Sequence, residues 1–204
     1  MIQLYKPSAK LTTQEVLSRL SSVNWDDLPV PGKNKGARGQ LLELALGIPN
    51  SSALTDLIDG ELKTYTIGQT ICVTQLKHCL DEIIKTPTPF KKTKLGIKLQ
   101  QTLYVGFKKD GMYQGSALLN NDTHAEHFNE LIEDYNHICD SIRNTFVAKE
   151  KLSTITGPNK LLQIRTKASR SSTGKYIPLV YQGHTLKNKY MAFYLCGRFG
   201  KTLL

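Results

Sequence analysis

The stretch Thr55-Asp56-Leu57-Ile58-Asp59-Gly60-Glu61-Leu62-Lys63 places three acidic side chains and one lysine within nine residues. Its Asp-Gly pair, Asp59-Gly60, is typical of a two-residue β-hairpin, because a type I′ turn requires positive φ at both central residues. Side chains alternate along each strand, so Asp56, Glu61 and Lys63 would share one face and the leucines the other. The stretch therefore predicts a rigid hairpin that gathers two carboxylates and one ammonium group.

Two carboxylates on one rigid surface suit Mg²⁺, which prefers oxygen ligands, keeps several waters and takes further ligands from a substrate phosphate. A bound metal ion stabilises charge on the phosphate and supplies an activated water. A lysine beside that water can orient it. The pattern therefore fits metal-dependent phosphodiester hydrolysis, although an ordinary charged hairpin on a solvated sheet face would show the same residues.

The chain has 204 residues, 40% of them hydrophobic, which is enough for a globular domain with its own core. No internal repeat or long linker divides it, so we expect a single domain over residues 1–204. No apolar run approaches a membrane span and the N-terminus does not resemble a signal peptide, so we expect a cytoplasmic protein with no membrane partner. Four scattered cysteines without a Cys-x-x-Cys pair favour reduced, mostly buried thiols.

The net charge is +10 and the sequence pI is about 9.4. An excess of this size is typical of a protein with a polyanionic partner such as nucleic acid. The basic residues concentrate in residues 91–98 and 160–201, whereas acidic residues concentrate in residues 126–140. A nucleic-acid interface is therefore expected to involve the middle and the C-terminal part of the chain.

Hydrophobic spacing and capping signals predict helices and strands along the chain. A capping box at residues 12–15 begins the first helix, and a short apolar helix ends at Gly47 and Pro49. Glu43 lies inside that apolar helix, so it must face either solvent or a partner, and the 56–63 face would provide one. The other predicted elements are strands at 70–74, 99–107 and 161–165, a short helix at 76–84, a long helix at 125–147 and a final apolar segment at 191–195.

Six segments, in order, resemble the MutH family of DNA endonucleases. That family includes the mismatch-repair nicking endonuclease and related type II restriction enzymes specific for GATC. The similarity extends from about Lys35 to Phe199. The matching segments are residues 35–47, 60–64, 70–73, 98–105, 162–168 and 186–191.

The resemblance implies an α/β, restriction-endonuclease-like (PD-(D/E)xK) fold with a central mixed sheet flanked by helices. It also implies Mg²⁺-dependent cleavage of double-stranded DNA. It places Glu43, Asp56, Glu61 and Lys63 in the active site, with the three carboxylates as metal ligands. Lys98 is implied as a supporting cation on the strand of residues 98–105.

The resemblance also implies contacts with DNA. It assigns Arg165, Lys167 and Lys187 to this role, since arginine fits guanine edges bidentately and lysines more often hold phosphates. The polar loop of residues 169–174 is a further candidate for a groove contact. The remaining candidate DNA contacts are Lys35, Arg38, Arg170 and Thr185.

The chain departs from the family pattern at two places. The first aspartate lies closer to the glutamate than is usual, and Asp59 replaces a glycine two positions before Glu61. Asp56 is the better candidate because it would face Lys63 across the hairpin, and Asp59 is the alternative. The second departure is His184-Thr185, where the nicking enzyme has an aromatic pair, and this difference favours the restriction branch.

Three functions remain open from the sequence. They are a type II restriction endonuclease that cuts both strands, a repair nickase that requires an activating partner, and an inactive DNA-binding module of the same fold. The intact Asp56, Glu61 and Lys63 set disfavours the third. A chain with one active site that cuts both strands of a palindrome is expected to act as a homodimer, in solution or on DNA.

Overall fold

The computed structural model describes residues 10–28, 36–49, 53–167, 170–171 and 173–204. Within these ranges helices and strands are mixed along the chain, which confirms the expected α/β class. The α-helices are α1 (Thr13–Leu20), α2 (Ala37–Leu46), α3 (Lys94–Gln100), α4 (Ala125–Val147) and α5 (Gly197–Thr202). The strands are β1 (Glu61–Thr66), β2 (Ile71–Gln75), β3 (Gln101–Phe107), β4 (Tyr113–Asn120), β5 (Ile155–Thr156), β6 (Leu162–Thr166), β7 (Leu179–Tyr181), β8 (His184–Lys187) and β9 (Met191–Leu195).

The chain falls into two compact units. Unit 1 comprises the residues up to Gln69 together with Ile97–Thr123 and Gly200–Leu204. Unit 2 comprises Thr70–Gly96 and His124–Phe199. Each unit is formed from segments that are distant in the sequence, so neither corresponds to one continuous stretch of chain.

Unit 1 is built on a three-stranded sheet in the order β1-β3-β4. Strand β1 runs parallel to β3, and β4 runs antiparallel to β3. Helices α1 and α2 bury Val16, Leu20, Leu42 and Leu46 in the same apolar cluster as the β-strand residue Leu103. The predicted capping box of Thr12 is present, and Gly47 ends α2 in the left-handed conformation, as the sequence indicated.

The predicted hairpin over residues 55–63 is wrong. Residues 53–59 form a series of bends, and β1 begins only at Glu61 and pairs with β3. The carboxylate of Asp59 instead accepts hydrogen bonds from the Thr13 amide and hydroxyl, both at 2.7 Å, and from the Gln101 side chain at 3.0 Å. These tertiary bonds replace the turn geometry that the Asp-Gly pair favours on its own.

Unit 2 contains a four-stranded antiparallel sheet in the order β2-β9-β6-β5 and a separate hairpin of β7 and β8. The strands of the described residues are therefore distributed over three sheets, of which the β1-β3-β4 sheet of unit 1 is mixed. The long helix α4 has the predicted bounds, and its apolar stripe is buried. The region 76–84, predicted as one short helix, forms a 3₁₀ turn at Leu76–His78 and a π-helical turn at Asp81–Lys85.

All four cysteines are free, two of them buried and two half-buried. In the part of the chain that the structure describes, no helix is long and apolar enough to cross a membrane.

The fully buried carboxylate of Asp134 on α4 organises the start of β6. It accepts hydrogen bonds from the backbone amides of Asn159 at 2.7 Å, Leu161 at 2.8 Å and Leu162 at 2.8 Å. We predict that Asp134→Ala lowers the free energy of unfolding by about 3–5 kcal/mol, because buried donors lose their acceptor.

Denaturant unfolding followed by circular dichroism measures this effect. Asp140→Ala is the matched control, since Asp140 lies on the same helix and makes an exposed ion pair with Arg143, which should contribute no more than about 1 kcal/mol. Equal losses in the two variants would contradict the prediction.

Candidate active site

Four segments of unit 1 bring together the side chains expected in the active site. Glu61 and Lys63 lie two residues apart on β1 and therefore project from the same face. Asp56 lies in the preceding loop, and Lys98 lies in the last turn of α3. Glu43 belongs to α2 and interacts electrostatically with the other carboxylates and with Lys63. The structure thus brings Asp56, Glu61, Lys63 and Lys98 into one cluster, and Glu43 is close enough to interact with it electrostatically.

Glu61 is at the centre of this cluster and is only 1% exposed. Its Oε1 atom accepts hydrogen bonds from the Lys63 ammonium at 2.5 Å and from the Lys98 ammonium at 2.7 Å. Its Oε2 atom accepts the backbone N–H of Asp56 at 3.2 Å. A carboxylate buried this deeply requires such partners, and the two ammonium groups and the amide provide them.

Asp56 lies on the more open side of the cluster, with 29% of its side chain exposed. Its Oδ2 atom accepts the Leu62 amide at 3.3 Å and lies 3.7 Å from the Lys63 Nζ atom. Asp59 makes its contacts with Thr13 and Gln101 instead. Of the two aspartates left open by the sequence, the geometry therefore favours Asp56 as the member of the site.

The carboxylates of this site repel one another and are partly buried. Burial raises the pKa of the Glu43 carboxyl, and repulsion from Asp56 adds to this effect. Burial also raises the pKa of the Asp56 carboxyl, which the Lys63 ammonium opposes. Three carboxylates and two ammonium groups leave the cluster with one net negative charge when all are ionised, so an additional cation would stabilise it.

Burial alone would lower the pKa of Lys63. The carboxylates of Glu61, Asp56 and Glu43 outweigh this effect, and the pKa of Lys63 is raised above its ordinary value. Lys63 is therefore a protonated ammonium at neutral pH. In this form it can donate hydrogen bonds to a water or a phosphate oxygen, but it cannot accept a proton.

The donor set is consistent with a hard divalent cation. The described residues contain no group of three or more His, Cys, Asp or Glu side chains arranged to hold a metal ion by themselves. Mg²⁺ does not need such a group, because it binds through one or two carboxylates and keeps waters and substrate oxygens as its other ligands. Asp56 and Glu61 would supply these carboxylates, with Glu43 beside them.

The supporting lysine lies in a different element from the one expected. Lys98 was predicted on a strand of residues 98–105, but α3 continues to Gln100 and β3 begins at Gln101. The Lys98 carbonyl accepts the Thr102 hydroxyl at 2.8 Å, which links the end of the helix to the strand. The helix end and the strand start are directly consecutive, so Lys98 still reaches Glu61.

The candidate DNA contacts fall in both units. Arg165 on β6 is exposed, with its guanidinium carbon 5.6 Å from the ring centroid of Tyr194. The Lys167 ammonium lies 3.7 Å from the Cys72 sulfur. Thr185 and Lys187 are half-buried on β8. Arg170 is exposed next to Tyr176.

The remaining two candidates differ from these. Arg38 is only 2% exposed, and its guanidinium carbon lies 4.3 Å from the ring centroid of Phe107. Its prediction as a DNA contact is not supported, because it is buried within unit 1. Lys35 lies outside the described residues. Tyr194, which was not a candidate from the sequence, lies next to the Arg165 guanidinium.

Comparisons with known proteins do not identify a family for this chain. No protein-family model matches the sequence, and no curated protein matches it.

Proposed function

We propose that this protein is a sequence-specific, Mg²⁺-dependent DNA endonuclease with a restriction-endonuclease-like (PD-(D/E)xK) fold. The observation that carries the proposal is the cluster of Asp56, Glu61 and Lys63, in which two carboxylates and a protonated lysine meet at the start of β1. Lys98 and Glu43 complete this cluster. The net charge of +10 supports a polyanionic substrate.

Each residue has a distinct role in the proposed reaction. Asp56 and Glu61 would hold Mg²⁺, which when bound supplies charge neutralisation and an activated water. Lys98 and Lys63 fix the orientation of the Glu61 carboxylate by binding its Oε1 atom. The Lys63 ammonium also orients the attacking water or stabilises the negative charge that develops on the phosphate in the transition state.

We propose the restriction branch, in which both strands of a short palindrome are cut, with GATC as the site that the resemblance implies. His184-Thr185 is the feature that favours this branch over the MutH-type mismatch-repair nickase. The alternatives are that nickase and an inactive DNA-binding module of the same fold. Supercoiled plasmid with Mg²⁺ separates the three, because they yield linear, nicked and unchanged DNA respectively, and sequencing the product ends gives the site.

The exposed guanidinium of Arg165 is suited to reading a base edge. Its position over the Tyr194 ring limits its rotamers and reduces the ordering cost of binding. We predict that Arg165→Ala weakens discrimination between cognate and near-cognate duplexes by about 1–3 kcal/mol. Competition binding in EDTA measures this effect without cleavage.

Lys187→Ala serves as the comparison for Arg165→Ala. A lysine that contacts only phosphate should weaken binding to all sequences alike and reduce the salt dependence. An Arg165→Ala protein with unchanged affinity and unchanged sequence preference would contradict the assignment of Arg165 to the groove.

One active site normally cuts one strand, and this chain carries one Asp56–Glu61–Lys63 cluster. Two protomers related by the two-fold axis of the DNA provide the second site most simply. We predict two protomers per short cognate duplex, measured by light scattering in EDTA. If one protomer binds each duplex and still linearises plasmid in a single binding event, the dimer is excluded. If one protomer binds each duplex and the plasmid is only nicked, the nickase is favoured.

A further inference from the structure

A second cluster of cations lies in unit 2, at the loop that follows β6. The guanidinium carbon of Arg170 is 4.3 Å from the ring centroid of Tyr176, and the ammonium nitrogen of Lys189 is 4.1 Å from the same centroid. Tyr176 is 38% exposed, so solvent and ligands reach the cluster. Two like charges are thus held beside one ring, and we refer to Arg170, Tyr176 and Lys189 as the cation–tyrosine stack.

Backbone contacts hold Arg170 beside Tyr176. Arg170 and Tyr176 form an isolated β-bridge, and the Ser171 amide donates to the Lys175 carbonyl at 2.8 Å. The Arg170 Nη1 atom donates to the Gly174 carbonyl at 2.7 Å, and its Nη2 atom donates to the Tyr176 hydroxyl at 3.0 Å. The guanidinium is therefore held in place by the loop and does not sample many rotamers.

The stack has positive charge and a hydroxyl donor. Among the described residues, the ion pairs do not include Arg170 or Lys189. The Tyr176 hydroxyl accepts from Arg170, which leaves its own hydrogen available for an acceptor. Two cations near each other repel unless an anion lies close to both, so the stack is arranged for an anionic ligand.

We propose that the cation–tyrosine stack binds a backbone phosphate of duplex DNA and does not read a base. Bidentate recognition of guanine needs the two terminal nitrogens of an arginine to be aligned with one base edge, and the bonds of Arg170 to Gly174 and Tyr176 orient its guanidinium towards its own loop instead. Both cations lie against the Tyr176 ring, 4.3 and 4.1 Å from its centroid, so a base stacked on this ring would compete with them. Charge and the hydroxyl donor remain, and these suit a phosphate.

The site is continuous with the candidate DNA contacts of unit 2. The Lys167 amide donates to the Tyr190 carbonyl at 2.7 Å, and the Lys77 ammonium lies 5.1 Å from the Tyr190 ring centroid. Lys189 immediately precedes Tyr190, so the stack and the Lys167 segment adjoin. The inference rests on the proposed DNA endonuclease function and assigns one part of its substrate contact.

The test uses two unrelated fluorescein-labelled duplexes of equal length in EDTA, with the dissociation constant measured over a range of salt concentrations. Lys189→Gln is expected to weaken binding of both duplexes by the same factor, about tenfold for a charged hydrogen bond. The slope of log affinity against log salt should fall by about 0.9, the value for one phosphate contact. Tyr176→Leu should also weaken binding, although it leaves the net charge unchanged.

Lys109→Gln is the matched control, because Lys109 is an exposed lysine in the turn between β3 and β4. Equal slopes for Lys109→Gln and Lys189→Gln would indicate a general charge effect and overturn the proposal. Three other results would also overturn the proposal. They are binding at the wild-type affinity by Tyr176→Leu, an altered sequence preference in Lys189→Gln, and no duplex binding by the wild-type protein. Thermal unfolding of each variant verifies that the fold is retained.

Plasmid cleavage in Mg²⁺ separates this inference from the proposed function. If the wild-type protein does not cut plasmid but the salt slope falls as expected in Lys189→Gln, the phosphate site is supported and the nuclease function is excluded. If the wild-type protein cuts plasmid but Lys189→Gln binds DNA as well as the wild-type protein does, the phosphate site is excluded and the nuclease function is supported.

Discussion

Lys63→Ala is expected to reduce Mg²⁺-dependent plasmid cleavage by at least about a hundredfold, the usual effect of removing one donor that stabilises transition-state charge. Lys63 is the cation that contacts both Glu61, at 2.5 Å, and Asp56, at 3.7 Å. Its loss removes the donor to the water or phosphate, but Lys98 still pairs with the buried Glu61. DNA binding in EDTA should therefore remain close to that of the wild-type protein.

The measurement is the rate of loss of supercoiled plasmid at a saturating protein concentration, so that binding does not limit the rate. Lys109→Ala is the control for the loss of one positive charge in the same unit. Cleavage by Lys63→Ala at a rate near that of Lys109→Ala would exclude the proposed role of Lys63.

The two aspartates of the 53–60 segment are expected to differ sharply. Asp56→Ala should lose Mg²⁺-dependent cleavage, again by about a hundredfold or more, because it removes a proposed metal ligand. Asp59→Ala should cut at nearly the wild-type rate but lose about 1–2 kcal/mol of stability, since Asp59 binds the N-terminal amide of α1 through Thr13.

Cleavage rates and denaturant unfolding of both variants measure the two effects separately. The reverse result, with Asp59→Ala inactive and Asp56→Ala active, would show that the aspartate has been assigned incorrectly. Loss of activity in both variants with equal loss of stability would indicate that the segment acts only through its fold.

Several elements could be predicted from the sequence because their signals are local. The capping box of α1, the glycine that ends α2 and the apolar stripe of α4 all depend on residues within one helix. The grouping of Asp56, Glu61 and Lys63 was also predicted, although on a hairpin that does not form. Glu61 and Lys63 are two residues apart on a strand in either arrangement, so their side chains share a face. These side chains therefore still meet, although the predicted hairpin is wrong.

Other features depend on residues far apart in the sequence. The Asp59 carboxylate is held by Thr13 and Gln101, and no local pattern indicates these partners. Strand β1 pairs in parallel with β3, about forty residues later in the chain, so the local Asp-Gly signal was misleading. Strand β4 was not predicted because most of its residues are only half-buried, which weakens the alternation that marks a strand.

In the proposed function, the Asp56–Glu61–Lys63 cluster cleaves DNA with the help of Mg²⁺. Its most direct test is incubation of the purified wild-type protein with supercoiled plasmid in Mg²⁺ and, in parallel, in EDTA. We predict linear DNA in Mg²⁺, as both strands are cut, and unchanged plasmid in EDTA. Unchanged plasmid in both reactions, or equal cleavage in both, would contradict the claim.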